Sequence, residues 1–214
     1  MNLFHAQKIL EVGSGTGAVI EDIMSLTSKP ELYALDNNWI ALQSNLCTNK
    51  ILGKGEQLPF PDNSFDITLC HYLFLWVKDP IEVLKEMYRV TRVGGWITCL
   101  AEPDYGGRID YPYAEEWKSL LQRSLSAINP NIGRKLRYFF SEINLKPHVG
   151  IQSTVLSDEA QKNSLLIELR NLKRFISPEE YNRVLKLESQ LLENDMKNSF
   201  SFMPVFFSIA RKRE

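Results

Sequence analysis

Two rhythms of apolar and polar residues alternate along the first half of this chain. Short, mostly apolar runs recur at 9–12, 31–35, 67–71 and 97–101, the pattern of strands buried on both faces. Between them, apolar residues recur three and four positions apart after Gly17, over Trp39–Leu46 and from Ile81 to about Thr91, which predicts three helices. Asp79-Pro80-Ile81-Glu82 marks the start of the third, with Asp at the N-cap and Pro at the first helical position. Strand–helix alternation through residue 102 predicts a parallel sheet with helical crossovers.

Beyond Glu102 the rhythm breaks. Residues 103–112 are polar, aromatic and turn-rich, unlike a simple crossover. Helices are predicted at Tyr113–Ala127 and Ile132–Ile143, then a strand near Val149–Leu156. Two further helices are predicted within 158–196, the second opened by the capping box Ser177-Pro178-Glu179-Glu180. Phe200–Arg211 reads as a last strand. There is no internal repeat, low-complexity tract or linker, so a single domain over 1–214 is predicted.

Composition narrows the class. A length of 214 residues suits one α/β domain, and a net charge of −1 leaves no broad electrostatic footprint for nucleic acid. The chain shows neither an apolar run of ~20 residues nor a signal-peptide pattern, so it reads as cytoplasmic and not inserted in a membrane. Cys47, Cys70 and Cys99 are odd in number and widely spaced, which argues against a disulfide framework or a metal site. Arg211-Lys212-Arg213 reads as a solvated tail rather than a phosphate patch.

The candidate chemistry begins at Ile9–Gly17, where an apolar strand carrying Glu11 ends in Gly13, Gly15 and Gly17. Glycines at a strand-to-helix turn let a ligand approach the main chain, and the free N–H groups there favour polar or anionic ligand groups. The second predicted strand ends in Asp36, at the separation expected of a ribose-binding carboxylate; the alternative role for Asp36 is the N-cap of the helix that follows. Two more segments matter: Leu58-Pro59-Phe60-Pro61-Asp62 ahead of the strand ending at Cys70-His71, and Glu86–Trp96 ahead of the strand Ile97–Ala101.

With these residues in place, 8 to about 104 resemble the class I S-adenosylmethionine-dependent methyltransferases, in the small-molecule group with a Leu-Pro-Phe loop. The resemblance implies a Rossmann-like, mostly parallel seven-stranded sheet with an antiparallel last strand and helices on both faces. It implies S-adenosylmethionine as cofactor and a cofactor-binding half over 1–104. The rest would be an acceptor-side half with a helical insertion at 158–196, read as a cap over part of the substrate site. By resemblance, the loop Gly13-Ser14-Gly15-Thr16-Gly17 cradles the methionine end and Glu11 helps hold its amino group. Asp36, with Asn37 beside it, takes the ribose; Gly55, Glu56 and Gln57 flank adenine; Cys70 and His71 pass beside the methyl group. Two departures stand out. Lys54 replaces the family's usual acid in the adenine loop, and only Met1–Gln7 precede the first strand, which predicts an open cofactor cleft or a truncated start.

A sulfonium methyl is already activated, so the enzyme mainly holds an acceptor in line and excludes water. A base is needed only for an acidic hydroxyl, a thiol or a protonated amine. The candidates are His71 and Tyr72 at the end of the strand from Ile67, and Glu102 and Asp104 after the strand Ile97–Ala101. The two carboxylates are expected to wall the acceptor pocket and favour a neutral or cationic small molecule; their alternative role is to cap the next helix or pair with Arg108. The sequence Cys70-His71-Tyr72-Leu73 is not the Asn-Pro-Pro-Tyr type used on DNA bases, so nucleic-acid amino groups are not expected substrates. Two other readings stay open: a non-catalytic binding module of the same fold, and a nicotinamide-dependent oxidoreductase, whose fingerprint is instead G-x-G-x-x-G.

Overall fold

A computed structural model of the chain describes residues 5–27, 30–111, 129–152, 159–160, 162–163, 166–167, 177–193 and 200–213. Seven strands form one sheet: β1 (Lys8–Val12), β2 (Glu31–Asp36), β3 (Asn49–Leu52), β4 (Phe65–Cys70), β5 (Thr91–Pro103), β7 (His148–Gln152) and β9 (Val205–Arg211). Their spatial order is β3-β2-β1-β4-β5-β9-β7. The pairs among β1 to β5 are parallel, and β9 runs antiparallel to both its neighbours. This is the Rossmann-like arrangement with a reversed last strand.

The helices are α1 (Ala18–Leu26), α2 (Trp39–Ser44), α3 (Pro80–Val90), α4 (Leu136–Glu142) and α5 (Pro178–Glu193). Alternate residues of β1 serve opposite faces of the sheet. Leu10 and Val12 join a core with Val83, Leu84, Met87 and Val90 of α3, while Ile9 joins one with Val19 and Ile23 of α1. Each such large apolar side chain contributes roughly 1.5–3 kcal/mol on burial. Asp79 caps α3 as expected, accepting from the N–H groups of Ile81 and Glu82 at 3.0 and 3.1 Å. The Ser177–Glu180 capping box forms reciprocally at the head of α5. The N-cap of α2 is Asn38, whose side chain accepts from Ala41 N–H at 3.2 Å, not Asp36.

Three expectations change. Residues 200–211 are not one strand: β8 (Phe200–Phe202) leaves the sheet and pairs with β6 (Ile109–Tyr111), and Met203-Pro204 separates it from β9. Proline has no N–H to give a ladder, which fits a break at that point. Residues 109–111 are thus a strand inside the turn-rich 103–112 segment. Lys212 is not in a solvated tail. It is 8 % exposed, and its Nζ donates to Thr91 O, Tyr88 O and Asn63 Oδ1 at 2.8, 2.9 and 3.0 Å, beside the Tyr88 ring. The carbonyls at the end of α3 need donors, and a cation suits that helix terminus. The helix expected at Tyr113–Ala127, the end of the strand expected at Val149–Leu156, and most of the first helix of the 158–196 pair lie outside the described residues. Among the described residues no helix is long and apolar enough to cross a membrane.

Candidate functional site

At the carboxyl ends of β1, β2 and β4 lies a cavity of about 700 Å³, the position at which open α/β sheets bind ligands. Its floor is the turn from β1 to α1. Gly13 N–H and Ser14 N–H both donate to Leu35 O, at 2.8 and 3.0 Å, which ties the turn to β2. Gly13, Gly15 and Gly17 all have positive φ. A Cβ on Gly17 would lie 2.6 Å from the Asn45 side chain, whereas a Cβ on Gly15 would meet no protein atom within 4 Å. Gly17 therefore serves the fold, and Gly15 leaves room in the cavity that it lines.

Behind the turn runs a buried polar chain. Asn45 Nδ2 donates to Ser14 Oγ at 2.8 Å, and Ser14 Oγ donates to Glu11 Oε2 at 2.7 Å. Burial pushes the Glu11 carboxyl up to about 7, with the Ser14 hydrogen bond opposing and the nearby Asp36 charge adding to the rise. Asp36 sits on the cavity side. Its Oδ2 accepts from Gly15 N–H at 2.7 Å and its Oδ1 from Asn38 N–H at 2.8 Å. A carboxylate has about four lone-pair sites, so two remain for hydroxyl donors.

The opposite wall is the segment after β4, where Tyr72, Leu73, Trp76, Val77 and Lys78 line the cavity. Tyr72 has φ 52°, a left-handed conformation uncommon for a tyrosine. The rim comes from Asn37 and from Gly53, Lys54, Gly55 and Glu56. Of the residues expected from sequence, Gly13, Gly15, Asp36, Asn37, Gly55, Glu56 and Tyr72 converge here.

The others lie elsewhere. Glu11 and Ser14 are buried behind the turn, and Gly17 is the N-cap of α1. Gln57 does not line the cavity; its N–H turns back to Lys54 O. Cys70, expected beside the cofactor, is fully buried opposite Cys99, and burial holds its thiol well above the usual range. His71 is half-buried edge-on to the Tyr72 ring and outside the lining; burial lowers its pKa, with Asp22 opposing. Glu102 and Asp104, expected on an acceptor wall, turn inward. Glu102 Oε1 accepts from the N–H groups of Leu73 and Phe74, each at 2.9 Å, and burial pushes its carboxyl up to about 7. Asp104 holds Arg134, at 2.5 and 2.8 Å, not Arg108, which pairs instead with Asp110. Asn45, Leu73 and Lys78 escape the sequence reading. A buried asparagine carries no local signature, Leu73 belongs to a turn held by β5, and Lys78 follows that turn.

Residues 10–99 match the family described as a methyltransferase domain. An uncharacterized methyltransferase of Schizosaccharomyces pombe is 32% identical over 149 residues, covering 61% of this chain and 53% of that protein. The demethylmenaquinone methyltransferase of Geobacillus kaustophilus is 36% identical over 110 residues, 47% of each chain. The chain thus spans about half the length of these relatives. Among solved structures, a protein assigned to an antibiotic biosynthesis pathway in Anabaena variabilis superposes with TM-score 0.72 at 15% identity, over 94% of this chain and 90% of that one. Phosphoethanolamine N-methyltransferase 2 of Haemonchus contortus, bound to phosphomonomethylethanolamine and S-adenosylhomocysteine, superposes with TM-score 0.65 at 15% identity, over 99% of this chain and 50% of that one. At such identity these two likenesses show the fold.

Proposed function

We propose that this chain, whose residues 10–99 match a methyltransferase domain, is a class I S-adenosylmethionine-dependent methyltransferase that binds S-adenosylmethionine in the cavity beside Gly15 and methylates a small-molecule acceptor. The observation that carries this reading is the open space at Gly15, next to a carboxylate with unused lone pairs on Asp36. A cavity of about 700 Å³ suits a cofactor of this size. Gly13 and Gly15 would cradle the methionine end, Asp36 the ribose hydroxyls, and Asn37, Gly55 and Glu56 the adenine side. Lys54 occupies that rim too, so adenine recognition falls to Glu56 or to main-chain groups. We read the chain as one domain whose N-terminal half binds the cofactor.

When bound, S-adenosylmethionine supplies a methyl group activated by its sulfonium. The protein's own part is to position and to exclude water. Tyr72 and Trp76 are aromatic residues of the cavity lining, and a ring face turned to the sulfonium would favour its charge. His71 keeps a neutral imidazole near neutral pH, since burial depresses its pKa. His71 lies outside the cavity lining, behind the Tyr72 ring, so it serves as a base only for an acidic hydroxyl, a thiol or a protonated amine that reaches past Tyr72. With Glu102 and Asp104 committed to other partners, no carboxylate of β5 supports selection for cationic acceptors. Relatives named demethylmenaquinone methyltransferases make small aromatic acceptors the first compounds to try.

Calorimetry with S-adenosylhomocysteine and with NAD tests the cofactor, and S-adenosylhomocysteine release across a small-molecule library tests turnover. Binding of NAD in place of S-adenosylhomocysteine refutes the reading. Binding without turnover on any compound would reduce the protein to a non-catalytic module.

A further inference from the structure

Glu102 is a buried carboxyl that is only partly paired. It is 0 % exposed, and among the described residues Oε2 has no hydrogen-bond partner. Buried polar atoms are normally paired, and an orphan usually signals a demand from elsewhere. The demand here comes from Oε1, which accepts from two consecutive main-chain donors, Leu73 N–H and Phe74 N–H, each at 2.9 Å. One residue earlier, Tyr72 N–H donates to Ala101 O at 2.8 Å. The last residues of β5 therefore grip three successive amides of the segment leaving β4. That segment holds Tyr72 at positive φ, a conformation that persists only when its surroundings enforce it.

The gripped segment is also the cavity wall. Leu73 lies so close to the glycine turn that a Cβ on Gly13 would sit 2.6 Å from Leu73 Cδ1. Tyr72, Leu73 and Trp76 line the cavity, and Glu102 does not. A carboxylate on β5 thus fixes the distance between the wall after β4 and the turn after β1 without touching anything bound between them.

We propose that Glu102 is a positioning residue: its carboxylate clamps the 72–76 turn and thereby sets the width of the cofactor cavity. This rests on the methyltransferase reading for the identity of the cofactor, but the clamp itself is visible without it. Glutamine keeps a carbonyl oxygen for the two amides and preserves the clamp in part. Alanine abolishes it.

The test compares the full-length protein with Glu102→Ala, Glu102→Gln and Lys212→Met. Lys212→Met is a destabilised control whose change lies at the α3 terminus, away from the cavity lining. Amide hydrogen exchange at Leu73 and Phe74, and calorimetric affinity for S-adenosylhomocysteine, are read well below each melting temperature. Glu102→Ala is expected to lose at least about tenfold protection at these two amides and at least about tenfold in affinity. Glu102→Gln is expected to recover most of both, and Lys212→Met to keep both. Protection falling equally across the sheet, or affinity equal to wild type in Glu102→Ala, overturns the proposal. If the alanine variant does not fold, Glu102→Asp, one methylene short of the amides, takes its place with the same expected losses. If wild type binds no S-adenosylhomocysteine, the cofactor reading fails; the exchange data then decide the clamp by themselves.

Discussion

Gly15 and Gly17 differ by two positions and share a positive φ, yet adding one methyl group to each should have different consequences. At Gly15 the methyl meets no protein atom within 4 Å, so Gly15→Ala incurs only the left-handed backbone, with φ near 49°. That strain is worth ~1–2 kcal/mol, and for a chain of this size each kcal/mol moves Tm by roughly 2–4 °C. A fall of about 2–8 °C is expected, with the fold intact. The same methyl projects into the space assigned to the cofactor, and a loss of at least ~1.4 kcal/mol, tenfold in Kd, is expected for S-adenosylhomocysteine. At Gly17 the methyl would sit 2.6 Å from both Cγ and Oδ1 of Asn45. Asn45 must then move, breaking its bond to Ser14 and exposing the Glu11 chain behind the turn. Adding ~1–3 kcal/mol for each buried polar group left unpaired makes Gly17→Ala the more destabilised of the two by several °C. Differential scanning fluorimetry and calorimetry on both variants decide the matter. Unchanged affinity in Gly15→Ala would remove the glycine turn from the cofactor site. A larger Tm loss at Gly15 than at Gly17 would refute the packing argument itself.

Other expectations follow from the same contacts. Asp36→Ala should weaken S-adenosylhomocysteine binding by roughly 2–3 kcal/mol, since bonds to a charged acceptor are worth ~1.5–3 kcal/mol; an unchanged calorimetric Kd ends its ribose role. Lys212→Met should cost about 3 kcal/mol in urea unfolding, because it strips a charged donor from the Tyr88 and Thr91 carbonyls at the end of α3 and from Asn63 Oδ1; a cost under ~0.5 kcal/mol would return Lys212 to a solvated tail. Glu11 and Glu102 are both pushed from 4.5 to about 7 by burial. Between those values the folded state binds more protons than the unfolded one, so stability should fall as pH rises from 5 to 7 and stay low above it. The shift of about 2.5 units corresponds to at most roughly 3 kcal/mol per group. Urea unfolding of wild type at pH 5 and pH 8, beside Glu11→Gln and Glu102→Gln, checks this: each variant should flatten the profile, and wild-type stability independent of pH would refute the burial argument.

Much of this molecule was legible in local sequence because local geometry writes it. Buried strands and amphipathic helices repeat on short periods, and the caps at Asp79 and Ser177 act within three residues of themselves. The glycine turn and Asp36 could likewise be placed in a ligand site, because a parallel sheet brings the carboxyl ends of its central strands to one edge. The failures share a different character. The side-chain bonds of Glu102 to Phe74, Asp104 to Arg134 and Lys212 to Thr91 join residues 28, 30 and 121 positions apart. A charged side chain carries no mark of its partner, and an exposed acid reads the same in sequence as one gripping buried amides. Glu102 and Asp104 looked like acceptor ligands because β5 ends at the edge where open α/β sheets bind ligands; they became a clamp and an ion pair because unpaired amides and Arg134 arrive there from other elements. The sequence by itself determined the central strands of the sheet, the glycine turn and the edge at which we propose a ligand lies. Only tertiary structure decided which charges face that ligand, since burial and pairing depend on groups that chain order keeps far apart.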